Sequence, residues 1–298
     1  MTEALSVDEL RALSGELGLK VRSDRLSFLA GPNATSLHQF RVSVRSARSL
    51  LVLTRDSFVG EELNSARHSG SKLSYLTGRA RNLDVFAESW RDLTMEIESD
   101  IVMNLSAVLD QINASRSIEY RNVIDFLATD EATTFENELV RLVECERTND
   151  SADEIVKKAI RRMNRRVRTI AESLSDRAAD EVLHQARKDL KKLRYSLEMT
   201  RSHFPGRQLE KAMNTIGDLQ TTIGRHQDAV MFTSELWSCG HRLAAQGASA
   251  EILVSVGILM APIDEVRRQA RRRSLAKLRS FIEDDSQQQL KKLLGSLE

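Results

Sequence analysis

Two histidines in this chain each lead a row of basic residues at helical spacing. His38, Arg41, Arg45 and Arg48 form one row, and His184, Arg187, Lys191 and Arg194 form the other. Arg presents forked N–H donors that match phosphate oxygens, and Lys adds a compact point charge. Such rows suit a bound polyanion, where many contacts sum and counterions are released, as on a nucleic-acid backbone. A second chemistry is open to the histidines, which could accept a phosphoryl group or act as general acids on a phosphate ester. The neighbouring cations disfavour the protonated imidazole that an acid role needs, and no metal-binding carboxylate set accompanies the rows.

The rows belong to a longer repetition. Leu37 to Phe58 returns as Leu183 to Phe204, 146 residues later and without gaps, and nine of the 22 aligned positions are identical. Gly78-Arg79 and Phe86 recur at the same offset as Gly224-Arg225 and Phe232. Matches in one register imply a duplicated unit. At 100° per residue, Leu37, Phe40, Val44, Ala47, Leu51 and Phe58 share one arc of a helix, and His38, Arg41, Arg45, Arg48 and Arg55 fill the neighbouring arc. In the second copy Leu183, Leu190, Leu193, Leu197 and Phe204 flank His184, Arg187, Lys191, Arg194 and Arg201. A basic stripe beside the apolar one can bury its stems and present its heads into a cleft. Like charges at this spacing repel by about 0.2–0.5 kcal/mol per pair. Either acids on other helices neutralise the stripes or a bound polyanion does. The second alternative predicts that Arg41, Arg45, Arg48, Arg187, Lys191 and Arg194 converge on one positive surface across a pseudo-two-fold axis.

The surrounding pattern is all-α: two related helical bundles from an internal duplication. The 298 residues include only three prolines, Leu, Arg, Ser, Ala and Glu dominate, and aromatics make up 5%. The expected organisation is an N-terminal helix (Val7 to Leu17) with a polar connector over residues 1–30, a first half over 31–150 and a second half over 151–298. Thr35 or Ser36 is the expected cap of the first basic helix. A helix over Glu61–Glu98 is expected to break near Gly70, and Thr148 to Ser151 to link the halves. Further helices are expected over Ile101–Leu127, Glu131–Glu146, Asp153–Leu174, Arg177–His203, Arg207–Ala245 and Ala248–Leu297, the last kinked at Pro262.

Composition bounds the partners. The net charge of +1 means that an anion site must come from local segregation of charge. Cys145 and Cys239 are isolated thiols, which suggests a reducing compartment. No apolar run is long enough to span a bilayer and no signal-peptide core is present, so a cytoplasmic protein without membrane association is expected. The few aromatics offer little for base stacking, which argues against a nucleic-acid partner. No cofactor is implied.

At its paired rows the chain resembles the CHAD family, the conserved-histidine α-helical domains, with a His-x-x-Arg-x-x-x-Arg/Lys-x-x-Arg helix in each of two related halves. Gly78-Arg79-Ala80-Arg81-Asn82-Leu83-Asp84-Val85 and Gly224-Arg225-His226-Gln227-Asp228 resemble two further elements of that family. The resemblance implies two helical bundles about a pseudo-two-fold axis, a basic cleft that binds inorganic polyphosphate without catalysis, and association with polyphosphate granules. The implied binding set is His38, Arg41, Arg45, Arg48, Arg55, Arg79, Arg81, His184, Arg187, Lys188, Lys191, Arg194, Arg201 and Arg225. Asn82 stands where the family usually has Asp, and Arg45-Ser46-Ala47-Arg48 is thinner than its usual Arg-Arg-Leu-Arg, which implies a weaker first-half site. The alternatives are a phosphate-ester enzyme or phosphohistidine protein using His38 and His184, and a helical adaptor or nucleic-acid binder. A protein partner is left open. Arg161, Arg165 and Arg168 share a face that could extend the cleft or be solvated. Gly78 and Gly224 read as close-packing positions. Arg267, Arg268 and Arg271 to Arg273 read as solvated or acid-paired.

Overall fold

A computed structural model describes residues 6–56, 61–145, 151–175 and 179–295, leaving aside the side chains of His203 and Asp284. The chain is all-α, and no strand occurs among the described residues. In order the helices are α1 (Val7–Ala30), α2 (Ala34–Leu53), α3 (Glu62–Leu76), α4 (Gly78–Thr94), α5 (Ser99–Asn104), α6 (Ser106–Leu127), α7 (Asp130–Arg141), α8 (Ala152–Glu172), α9 (Asp180–Met199), α10 (Gly206–Ala245), α11 (Ala250–Phe281) and α12 (Asp284–Gly295). A 3-10 turn, Arg201–His203, follows α9. The basic helices α2 and α9 start and stop 146 residues apart at both ends. No helix among the described residues is long and apolar enough to cross a membrane.

Several boundaries differ from those expected, each for a local reason. The first helix runs on to Ala30 instead of stopping near Leu17. Its polar inner positions, which suggested a connector, are satisfied by α7. Arg25 Nε and Nη2 donate to Glu136 at 3.1 and 3.0 Å, and Ser14 Oγ donates to the Leu139 carbonyl at 2.7 Å. The cap of α2 is Asn33 rather than Thr35 or Ser36. Asn33 Oδ1 accepts from both of their N–H groups, and the Asn33 N–H donates back to Ser36 Oγ at 3.1 Å. The break between α3 and α4 falls at Thr77, not Gly70. Gly70 is buried inside α3, where a Cβ would come within 2.7 Å of the Phe135 ring and 2.9 Å of Arg48 Cγ. Gly78 has open space around it, so it does not serve close packing. The last expected helix passes through Pro262 and ends at Phe281, and α12 follows. Thr148, Asn149 and Asp150 of the expected link lie outside the described residues.

The hydrophobic residues gather in three cores that position the basic helices. One joins α1, α2, α3, α6 and α7 through Phe28, Phe40, Leu51, Leu127 and Phe135. A second centres on α8, α9, α10 and α12 and takes in Leu10 of α1 and Leu50 and Leu53 of α2. The third packs Leu83, Phe86, Val108 and Ile112 against Phe232, Leu236, Leu259 and Ile263. Within it Phe86 and Phe232, 146 residues apart, meet edge to face with centroids 5.2 Å apart.

Candidate functional site

The apolar faces of α2 and α9 are fully buried, and the two helices pack on each other. Their basic stripes therefore border the seam between them. Arg45 Nη1 donates to the Tyr195 hydroxyl at 3.1 Å, and its guanidinium lies 5.9 Å from that ring's centroid. Beside this contact, α2, α3, α8 and α9 enclose a cavity of about 430 Å³. Arg45, Arg48, Arg67, Arg166, Lys188, Lys191 and Lys192 line it with Ser49, Val52, Ser71 and Gln185, and no carboxylate is among these lining residues.

The cations are positioned by neutral groups. Arg48 donates to Ser74 Oγ at 2.8 Å and Ser71 Oγ at 3.2 Å. Arg41 Nη1 donates to the Ser74 carbonyl at 2.9 Å and to Thr77 Oγ1 at 2.5 Å. Arg194 donates to Gln220 Oε1 at 3.4 Å. Among the described residues no ion pair joins Arg41, Arg45, Arg48, Arg187, Lys188, Lys191 or Arg194 to a carboxylate. Arg41 Nε and Arg187 Nε, at equivalent repeat positions, are buried without a hydrogen-bond partner. Buried donors and unpaired charges are costly unless something satisfies them. Beneath the cavity, buried Asp189 holds Lys192 at 2.9 Å, Arg166 at 3.4 Å and Gln185 at 3.0 Å.

Burial among like charges shifts the titration of these groups. Lys191 is pushed down to about 7, first by burial and then by Arg187 and Arg45, with Asp228 opposing. Arg41 is lowered to about 10 by burial, Arg45, Arg81 and Arg48, and stays charged at neutral pH. Burial, followed by Arg81 and Arg45, lowers His38. His184 is lowered by burial and by Lys188, Arg187 and Lys191, against a hydrogen bond of 2.8 Å from its Nδ1 to Gln227 Oε1 that raises it. Both imidazoles are therefore biased to the neutral form.

The remaining sequence-derived residues lie elsewhere. Arg79 pairs with Glu119 at 3.2 Å and Glu235 at 2.8 Å, and Arg81 with Glu88 at 3.0 Å. Asp84 of the same element accepts from Arg116 at 2.6 Å and Tyr120 at 2.9 Å. The segment Gly78–Val85 thus clasps α4 to α6 and α10. Arg55 lies exposed in the turn after α2, and Arg201 pairs with Glu210 at 3.7 Å. Arg225 borders a different, apolar cavity. Arg161, Arg165 and Arg168 face α12 across a separate cavity and do not extend the cation-lined one. Arg267, Arg268 and Arg272 pair with Asp180, Asp264 and Glu265.

Sequence reasoning missed Arg67, Arg166 and Lys192; Met213 and Ser46 stand 146 residues from Arg67 and Lys192, so no repeat marked those two. Arg166 sat within a basic run whose other face had been singled out. Buried His226 was missed as well. Its ring nitrogens face Asp180 Oδ1 at 3.0 Å and the Arg267 carbonyl at 3.3 Å, tying α10 to α9 and α11.

The family description "CHAD domain" matches residues 20–237. Two uncharacterized proteins of Mycobacterium tuberculosis, MT2285 of strain CDC 1551 / Oshkosh and Rv2226 of strain ATCC 25618 / H37Rv, are each 24% identical over 218 residues, 67% of this chain. The chain spans 40% of the length of each of these relatives. The crystal structure of the CHAD domain from the plant Ricinus communis has a TM-score of 0.71 at 20% identity, covering 93% of this chain and 95% of that one. PptA from Streptomyces chartreusis has a TM-score of 0.72 at 13% identity, covering 91% and 98%. These two structures share the fold.

Proposed function

From the premise that this chain belongs to the CHAD domain family, we propose that it binds inorganic polyphosphate in the cation-lined cavity between α2 and α9, without cleaving it, and so associates with polyphosphate granules in the cytoplasm. One observation carries the reading: among the described residues seven cations line the cavity, five of them in no ion pair, and no carboxylate lines it with them. A stripe neutralised by its own protein would show ion pairs to acids on neighbouring helices. Here the ion-paired cations are largely those away from the seam, such as Arg79, Arg81 and Arg201. A linear polyanion supplies the missing charge along both helices, and its oxygens can accept from the buried Arg41 and Arg187 Nε–H groups.

The binding mode follows from the side chains. Arg45, Arg48 and Arg67 offer forks of donors on one wall, and Lys188, Lys191 and Lys192 offer point charges on the other. Neutral His38 and His184 can each take up a proton beside a bound phosphate, which adds charge without a nucleophilic step. A stacking surface for bases is missing from the lining residues, which favours polyphosphate over single-stranded nucleic acid.

Titration with polyphosphates of graded length tests the proposal. Affinity should rise with chain length and fall steeply with salt. Replacing Arg48, Lys188 and Lys191 of the cavity together by Ala should weaken binding and flatten the salt dependence more than replacing Arg161, Arg165 and Arg168. Equal losses from the two triple variants would remove this site from consideration. Phosphate release by the purified protein would favour the enzyme reading, and stronger competition by single-stranded RNA would favour a nucleic-acid binder.

A further inference from the structure

A cavity larger than the cation-lined one lies apart from it and has the opposite character. It holds about 1020 Å³ between the end of α4, α5, α10 and α11. Leu93, Ile97 and Ile101 wall one side and Ile258, Pro262 and Val266 the other, with Phe232 at the base. The wall on α11 is part of a longer ridge. Val254, Ile258, Pro262 and Val266 recur every four residues along one face, and Val254, Ile258 and Val266 are 61%, 40% and 49% exposed. Across from them Met95 is 73% exposed. A ridge of exposed apolar side chains beside an apolar cavity is a candidate interaction site.

The charge around it decides what it accepts. Asp92, Glu96, Glu98 and Asp228 border the cavity, and Arg225 is its one basic lining residue. Among the described residues Asp92, Glu96 and Glu98 have no ion-pair partner. The acids of α11 nearby, Asp264 and Glu265, are already held by Arg267 and Arg268. Three unneutralised carboxylates therefore stand over one wall of an apolar trough, and a ridge of side chains four residues apart forms the other. A ridge with that period interlocks with the i, i+4, i+7 side chains of another helix.

We infer that this trough docks an amphipathic helix of a partner protein, its apolar stripe seated between α5 and α11 and its Lys or Arg flank facing Asp92, Glu96 and Glu98. A second copy of this chain does not supply such a helix from its described residues. Its basic amphipathic helix α8 already buries its apolar face in the core through Ile155, Ile160, Met163 and Val167, and its α11, whose apolar ridge is exposed, has Arg267, Arg268, Arg271 and Arg272 already paired with Asp180, Asp264 and Glu265. The flexible thioether of Met95 at the rim suits a surface that adapts to the partner's side chains.

The test uses the intact protein and a labelled helical peptide of about 18 residues with Leu at i, i+4, i+7 and i+11 and Lys on both flanks, beside a twin carrying Glu for Lys. Fluorescence anisotropy should show the Lys peptide binding at least about tenfold tighter than its twin. Ile258→Glu and Val266→Glu alter exposed side chains and should each lower peptide affinity at least about tenfold, with circular dichroism and polyphosphate affinity unchanged. Hydrogen exchange should show protection of α5 and α11 by the peptide. Equal binding of the twins, retained binding in both variants, or protection confined to α2 and α9 would overturn the proposal. Sedimentation showing a dimer that Ile258→Glu dissociates would overturn it in favour of a second copy.

Discussion

Lys191 is the residue whose state an occupied cleft changes most. Its pKa is about 7 in the free protein because it is buried beside Arg187 and Arg45, against about 10.4 for an ordinary lysine. A bound polyanion raises it again, so binding takes up a proton. That contribution is fully present below about pH 7 and is lost as pH rises towards the bound-state value, by at most about tenfold per pH unit for one proton. Polyphosphate affinity should fall between pH 7 and 9, and Lys191→Met should flatten the profile, as calorimetry in buffers of different ionisation enthalpy would register. Folding carries the opposite sign. The unfolded chain keeps this proton between about pH 7 and 10.4 while the folded one releases it, so stability rises with pH across that window. Lys191→Met should therefore raise the melting temperature more at pH 6 than at pH 10. Asp228 is the acid that opposes these shifts at Arg187 and Lys191, and at the repeat-equivalent position the chain has Asn82. The first half lacks that counter-charge. Asp228→Asn should tighten polyphosphate binding about two- to fivefold, as expected of ~0.5–1 kcal/mol between accessible charges. Asn82→Asp should loosen it.

At the scale of elements, α3 illustrates how packing sets the site. Sequence makes Gly70 a helix breaker, yet it sits inside α3 because Phe135 and Arg48 leave no room for a Cβ. Gly70→Ala should cost about 1–3 kcal/mol as overpacking against Phe135, and should also weaken polyphosphate binding by moving the Arg48 stem. Chemical denaturation and an affinity titration read the two effects separately, and unchanged affinity with lowered stability would show that Arg48 adapts. The basic helices were legible because their apolar and charged stripes keep strict register in both copies. The length of α1 was not, because its inner face carries Ser14, Asp24 and Arg25, and periodicity reads such a face as solvated. Only the facing Glu136 and the Leu139 carbonyl make that polar surface an interior one.

Across the whole molecule the two halves do not keep separate cores. Leu10, Leu50 and Leu53 enter the core built on α8 and α9, and Leu83, Phe86, Val108 and Ile112 enter the one built on α10 and α11. Phe86 meets its own repeat equivalent, Phe232, and Arg45 acts electrostatically on its equivalent, Lys191. Unfolding should accordingly be a single cooperative transition, with the calorimetric and van't Hoff enthalpies in agreement. A fragment of residues 151–298 alone would expose Phe232, Leu236 and Leu259 and should not reproduce that transition. Two resolved transitions, or an independently folded fragment, would mean that the halves are separate domains.

The sequence by itself determined the helical class, the pair of basic helices and their shared register, because helical periodicity and a gapless offset are properties of residue order alone. It also carried Arg45, Arg48, Lys188 and Lys191 into the cavity, since a basic stripe next to an apolar one must border whatever the apolar one packs on. Only the tertiary structure decided which cations share that space. Arg67 comes from α3 and Arg166 from α8, while Arg79 and Arg81 are drawn away by Glu235 and Glu88. Whether a charge is free or spent depends on which distant carboxylate folding brings within reach, and residue order along one helix holds no record of that distance.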